Sequence, residues 1–442
     1  MKYIFIVLAV LCVFSCSTLS QNTPTKQKLS DEELLTLVQE KTCQYFLDGA
    51  EPNSGMARER YHMNDIYSKN DKHVVTSGGA GFGLMAILVA IERDFISREA
   101  GLKQLERIVG FLETADRFHG AWSHWIDGET GKVVPFGWDD NGGDLVETAF
   151  MIQGLLCVRQ YFQGNNKRET ELRKRINKLW LEVEWDWYRR DGQNVLYWHW
   201  SPDYGWKKNF AVTGYNECLI MYVLAASSPT HTIPPEVYHE GWARNGKMAG
   251  KNEKYGYTLT LNHNGAQEYG GPLFWSHYSF LGLDPRKLKD RYADYWEHNR
   301  NHVLIDYEYC VENPKKQLGF GPNCWGLTAS YTHTGYGAAC PGRENGVIAP
   351  TAALASFPYS PKESMQAMRY FYEVHGDRLF GPYGFYDAFN LRMDWFPQRY
   401  LAIDQGPIPV MIENYRSGLL WDLFMSCPEI QVGLDKLGFE YE

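Results

Sequence analysis

The stretch Trp138-Asp139-Asp140-Asn141-Gly142-Gly143-Asp144-Leu145-Val146-Glu147-Thr148 carries the plan of the whole chain. An aromatic residue leads into an acidic, Gly-rich loop, and the loop opens an apolar helix expected over 144–162. The same schema recurs along the sequence. Trp122-Ser123-His124-Trp125 precedes Glu147, and Tyr197-Trp198-His199-Trp200 precedes Glu217. Cys324-Trp325-Gly326 precedes a helix near Ala349, and Phe385-Tyr386 precedes Asp404 and Glu413. Helices are expected at 77–95, 97–116, 166–190, 215–228, 285–303, 349–358, 361–375 and 407–426, after a first one opened by the capping box Ser30-Asp31-Glu32-Glu33. Asp284-Pro285 and Ser360-Pro361-Lys362-Glu363 read as further start signals. Helix pairs with long loops on one side close into a ring. The fold class is therefore all-α, an (α/α)6 toroid (barrel) with short β excursions in the cleft-side loops. A solenoid is the alternative, but its repeats are shorter and more regular.

The 442 residues are 44% hydrophobic and 22% charged, ordinary globular usage, so disorder and fibrous structure are excluded. Aromatics are the unusual component, at 15%. The net charge of −9 and the lack of any Lys/Arg run argue against a nucleic-acid partner. Sugar rings stack on aromatic faces and are worked on by carboxylates, so a carbohydrate fits this balance better than an anionic ligand.

The N-terminus reads as an address. Lys2 and the apolar run Tyr3–Leu11 form a signal peptide over 1–15, and Val13-Phe14-Ser15-Cys16 resembles a lipobox in which Cys16 is acylated. Plain secretory cleavage is the competing reading, since Phe14 is bulky for that motif. A short tether over 16–29 then leads to one domain over 30–442, because no Pro/Ser/Gly linker divides the chain. The expected location is the periplasm, with the membrane touched only through a lipid at Cys16. Seven cysteines beyond Cys16 have scattered spacing and no C-x-x-C, which excludes zinc ribbons and thioredoxin chemistry. Cys157 and Cys218 read as buried small hydrophobes.

Asp140, Asp144 and Glu147 fall within eight residues, and Asp144 and Glu147 share a helix face. A capping box would explain the last two, and on spacing alone the two accounts are evenly matched. Crowded carboxylates also raise one another's pKa, as a general acid requires. Glu217 heads an apolar helix, where a dipole partner is the simpler reading. Asp404 reads as a cap, and Glu413 with Arg416 as an intrahelical pair. Gly78-Gly79-Ala80-Gly81-Phe82-Gly83 has no strand before it and marks close helix packing rather than a phosphate loop. No H-E-x-x-H, EF-hand ladder or Gly-x-Ser-x-Gly elbow is present, so no metal and no cofactor are expected.

Four blocks resemble the glucoamylase-like family of bacterial (α/α)6 toroids: Gly143–Thr148, Phe320–Ala329, Ile403–Pro407 and Met411–Trp421. The resemblance spans about residues 30 to 428. It implies the β-1,2-glucan-active members grouped as glycoside hydrolase family 144, which are inverting and metal-free. Some are endo-β-1,2-glucanases, and others release sophorose from the non-reducing end of β-1,2-glucooligosaccharides. Carried over, it places Asp140, Asp144, Glu147 and Glu217 in an acidic cleft with Asp404 on the opposite wall.

The expected function is a monomeric inverting glycoside hydrolase acting on a neutral β-glucan oligosaccharide, with sophorose release as the first reading and endo cleavage as the alternative. Glu217 is the expected acid and Asp404 the expected base, while Asp140, Asp144 and Glu147 orient substrate or tune pKa. Trp122, Trp138, Trp198, Trp325 and Tyr386 are the stacking candidates. Arg60 could hold sugar hydroxyls, although a surface salt bridge explains it as well. Two other classes compete. A glycan-binding lipoprotein would not need five clustered acids, and an α/α-toroid polysaccharide lyase would need a basic cleft.

Overall fold

The computed structural model describes residues 28–266 and 268–441. The leader, Cys16 and most of the tether lie outside the described residues. The helices are α1 (Asp31–Tyr45), α2 (Ser77–Glu92), α3 (Arg98–Leu112), α4 (Leu145–Tyr161), α5 (Lys167–Leu181), α6 (Leu219–Ser227), α7 (Tyr295–Glu312), α8 (Pro350–Leu354), α9 (Pro361–Glu373), α10 (Gly376–Leu379), α11 (Ala402–Gln405), α12 (Pro407–Arg416), α13 (Leu419–Met425) and α14 (Pro428–Leu437). Burial sorts most of them into two rings. Almost every residue of α2, α4, α6, α8 and α12 is buried, whereas α1, α3, α5, α9 and α14 bury one stripe each. Helices apolar all round belong inside, and amphipathic ones outside. The turns at Leu273–Leu281 complete the inner ring. One continuous apolar core fills the space between the rings. Among the described residues no helix is long and apolar enough to cross a membrane.

The glycine run does what packing requires. A Cβ on Gly81 would sit 2.3 Å from the Phe150 carbonyl oxygen, and one on Gly154 would sit 2.1 Å from that of Gly81. Helices α2 and α4 therefore touch backbone to backbone. All seven described cysteines are free and buried, Cys157 and Cys218 among them.

Helix existence was more legible than helix boundaries. The Ser30 capping box forms as expected. The helix expected over 285–303 instead runs Tyr295–Glu312, because Asp294 supplies the cap by accepting the Glu297 N–H at 3.1 Å. Asp284 spends its carboxylate on Arg286. The helix expected over 407–426 breaks at Gly418, whose φ of +78° reverses the chain, and Asn414 Oδ1 recaps the next helix through the N–H groups of Leu420 and Trp421. Ser360 does not cap α9, which starts on Pro361 alone. Glu413 does not pair with Arg416. It takes a two-point ion pair from Arg93, while Arg416 reaches Glu32 and Gln39 on α1.

Short antiparallel strands sit between the helices and bring distant loops together. Arg60–His62 pairs with Arg399–Leu401, and Gly143–Asp144 pairs with His199–Trp200. Ala329–Thr332 folds back on Gly335–Ala338 as a hairpin.

Candidate active site

The pairing of Asp144 with His199 fixes one wall of the cleft. It sets the loop 138–144 against Trp198 and His199, two segments far apart in sequence. Asp144 caps α4 through the Glu147 N–H at 2.9 Å. Its other oxygen accepts the Trp198 indole N–H at 2.8 Å and meets His124 Nδ1 at 3.1 Å. The cap reading of Asp144 is therefore correct. The reciprocal half of the box is missing, because Glu147 turns away from the cap and accepts the Gly78 N–H at 2.9 Å. Gly78 is required there: a Cβ would lie 2.1 Å from the Glu147 carboxylate.

Charge in this wall is strongly redistributed. Burial raises Glu147 to about 7, with the charges of Asp144 and Glu59 adding to the effect and His124 opposing it. Burial lowers the His124 imidazole, but the carboxylates of Glu147 and Asp144 outweigh it and lift the group to about 10, so it is a cation at neutral pH. Asp140 lies next to this cluster but is already neutralised. His199 Nε2 stands 3.0 Å away and Lys208 Nζ 3.5 Å, and together they override burial and hold its carboxyl below the usual range. Asp140 is therefore unsuited to hold a proton for transfer.

Glu217 projects from the turn just before α6, partly open to solvent. Its side chain does not cap that helix; the cap position is Cys218, with no side-chain bond. Burial raises the Glu217 carboxyl to about 7, against the pull of its own N–H and the Cys218 thiol, with Asp144 adding to the rise. Asp404 sits on α11, buried, with the Tyr278 hydroxyl 3.5 Å from Oδ1. Burial and its contact with Asp387 hold Asp404 well above the ordinary carboxyl range. Burial raises the Tyr278 phenol well above its ordinary value, and the charges of Asp404, Glu147 and Glu217 add to the rise. Among the described residues no group of three or more His, Cys, Asp or Glu is arranged to hold a metal ion.

The stacking candidates divide. Trp122 and Trp325 are 0% exposed, and their indole N–H groups donate to the carbonyls of Leu112 and Glu363. Both are packing residues, and the stacking role expected of them is withdrawn. Tyr386 is also buried and packed on Tyr400 at 5.0 Å. Trp138 is 69% exposed, edge-on to Tyr204 and capped by Lys207. Trp198 is half-buried beside Phe210 and bound to Asp144. Arg60 lies between Glu59 and Asp71, at 3.5 and 3.4 Å, and over the Trp125 ring, so it forms ion pairs, though in a mostly buried place rather than at the surface.

Three cleft residues escaped the sequence reading. Glu59 reaches the acids because its carbonyl accepts the Ala402 N–H at the start of α11. Asp387 contacts Asp404 directly. Tyr336 projects from the hairpin. Its ring is largely exposed, and the charges of Asp404 and Asp387 bear on its phenol. The Tyr386-Asp387 pair stood in a stretch already noticed for its aromatics, and the acid beside them was the available signal.

An (α/α)6 toroid with carboxyls on facing walls of one cleft is the architecture of glucoamylase-like carbohydrate enzymes. The Glycoamylase family model matches residues 209–428. The structure superimposes with a TM-score of 0.93 on an endo-β-1,2-glucanase from Chitinophaga pinensis, solved with sophorotriose and glucose. The two are 65% identical, and the match covers 94% of this chain and 99% of that one. The chain is 48% identical to an exo β-1,2-glucooligosaccharide sophorohydrolase (non-reducing end) from Parabacteroides distasonis over 93% of its own length; it spans 59% of that relative. An endo-β-1,2-glucanase from Talaromyces funiculosus, solved with sophorose, shares only the fold, at 11% identity and TM-score 0.64 over 89% of this chain and 87% of that one. The chain belongs to the glucoamylase-like family.

Proposed function

We propose that this protein hydrolyses β-1,2-glucooligosaccharides with inversion at the anomeric carbon. The observation that carries the reading is the 65% identity to the Chitinophaga endo-β-1,2-glucanase across nearly its full length, and the raised carboxyls of Glu217 and Asp404 suit the chemistry. Inversion needs a protonated carboxyl at the leaving oxygen and a proton acceptor for water on the opposite face of the ring. Glu217 holds the first proton, and Asp404 receives the second. Asp144 and Glu147 position the wall between them, and Asp140 holds the loop through His199 and Lys208. Trp138 and Trp198 are the remaining stacking surfaces, and Arg60 braces the cleft edge.

Release of sophorose from the non-reducing end is supported by the Parabacteroides relative. Internal cleavage is favoured by the higher identity to the Chitinophaga enzyme across nearly its full length. Residues 30–442 act as one catalytic domain in a monomer. The leader and Cys16 support a lipid-anchored periplasmic enzyme. Product profiling on linear β-1,2-glucan and on short sophorooligosaccharides tests the proposal. Sophorose as the sole early product marks exo action, and a ladder marks endo action. Turnover of starch with none of β-1,2-glucan refutes both.

A further inference from the structure

Asp387 and Asp404 form a buried carboxyl pair, 3% and 2% exposed. Asp387 lies in the loop after the strand Gly384–Phe385, held by its N–H to the Arg399 carbonyl. Asp404 lies on α11, which follows the strand beginning at Arg399. Asp387 Oδ2 accepts the Tyr331 N–H at 2.6 Å, and Asp404 Oδ1 has only the Tyr278 hydroxyl at 3.5 Å. The other oxygen of each group, Asp387 Oδ1 and Asp404 Oδ2, is buried without a donor from the protein. Two carboxylates in contact, each with one unsatisfied buried oxygen, repel as a dianion. A single shared proton removes the repulsion and satisfies both oxygens. The strong N–H donor on Asp387 favours charge there, so Asp404 is the donor of that hydrogen bond. The groups facing the pair are the phenols of Tyr278, Tyr331 and Tyr336 and the carboxyls of Glu59 and Glu147, with Arg60 and Arg399 beyond the Tyr331 ring. Among the described residues no Lys, Arg or His pairs with either aspartate to replace the proton.

We propose that Asp387 is a positioning residue for the reaction: with Asp404 it holds one proton, and the pair enters catalysis as a single negative charge. This rests on the reading of Asp404 as base. As the glycosidic bond breaks, its electron pair passes to the leaving oxygen, which takes the Glu217 proton. The attacking water forms the new C–O bond and gives its proton to Asp404, whose own shared proton passes to Asp387, so the pair becomes neutral. The dianion never has to form in the buried site, and one charge is enough to accept one proton. Paired carboxyls titrate in two steps that belong to the pair.

The experiment compares wild type, Asp387→Asn and Asp404→Asn by the pH profile of kcat/KM on β-1,2-glucooligosaccharide and by carbon-13 NMR titration of the aspartate carboxyls without substrate. In wild type, two carboxyls should titrate in two separated, mutually dependent steps. In Asp387→Asn the amide donates to Asp404, so the upper step, the one raised by repulsion between the two charges, should vanish and a single step should remain. KM should change little. Asp404→Asn should lose about 10²-fold or more in kcat at every pH. Independent single-step titrations in wild type, or two coupled steps persisting in Asp387→Asn, would overturn the proposal, even in an active enzyme. A coupled titration in a protein that leaves β-1,2-glucan intact would support the pair and sink the substrate reading instead. Should Asp387→Asn fold poorly, Asp387→Ser, which leaves room for water, must show the same loss of the second step.

Discussion

Replacing Glu217 by Gln separates a proton donor from a structural residue, because the two roles predict opposite signs in two assays. The wild-type carboxyl is ordinary in the unfolded chain, at 4.5, and rises to about 7 in the fold, chiefly through burial. Below 4.5 both states are protonated and the group costs nothing. As pH rises from 4.5 through 7 the unfolded chain ionises first, so native stability falls. The full loss is 2.303RT times the shift, about 3 kcal/mol, and most of it is present by neutral pH. Gln has the same size, keeps a polar head and cannot ionise, so it removes this penalty.

The expected result has two parts. Urea unfolding at pH 4 and pH 8 should show the stability of Glu217→Gln relative to wild type rising by about 3 kcal/mol between the two. Turnover on sophorooligosaccharides at the optimum should fall by about 10²–10⁴-fold, since the amide has no transferable proton. Wild-type kcat/KM should also decline above about pH 7 as Glu217 ionises. A variant less stable at both pH values, yet turning over normally, would remove Glu217 from the mechanism and return it to a merely structural role at the head of α6.

Truncation of two tryptophans should give complementary results. Trp122→Ala opens a cavity in the core and should cost about 3–5 kcal/mol in chemical denaturation, whereas Trp138→Ala should leave stability within about 0.5 kcal/mol and raise KM. Normal stability in Trp122→Ala would refute the packing assignment. Gly78→Ala forces a methyl group onto the Glu147 carboxylate and should lower both melting temperature and turnover; an unperturbed crystal structure and rate would show that Glu147 is free to move. Acid should destabilise the protein through a second set of groups. Burial pushes His277 and His298 down to about 3 and His302 to about 4, and it holds His263 well below its usual value. The unfolded chain protonates first, so stability is complete above about pH 6.5 and falls as pH drops, by about 3 kcal/mol from His302 alone once pH is below 4. Flat stability between pH 7 and pH 4 would show that these imidazoles are charged in the native state.

What the sequence made legible, and what it hid, follows from how far each signal reaches along the chain. The inner helices announce themselves through a local property: stretches such as Phe82–Ile91 are apolar on every face, and Ala149–Val158 is so except for Gln153. The Asp144 cap also lies within a single motif. Boundaries were less legible wherever a side chain chose between neighbouring partners. Asp294 outcompeted Asp284 as a cap because Arg286 had already engaged the latter. The stacking candidates failed for a related reason: a Trp beside an acidic loop looks the same in sequence whether its indole N–H reaches a core carbonyl, as in Trp122, or stands in solvent, as in Trp138. Glu59 and Asp387 were hidden for the deepest reason. Neither sits in a motif, and each enters the cleft only through the strand pairing Arg60–His62 with Arg399–Leu401, which joins the two ends of the chain as the ring closes. That pairing is a tertiary event with no local signature. A cleft assembled by ring closure therefore draws its charge balance from acids that sequence motifs do not mark. The residues that set the protonation state of Asp404 are of this kind, while Asp404 itself lies in a recognisable block.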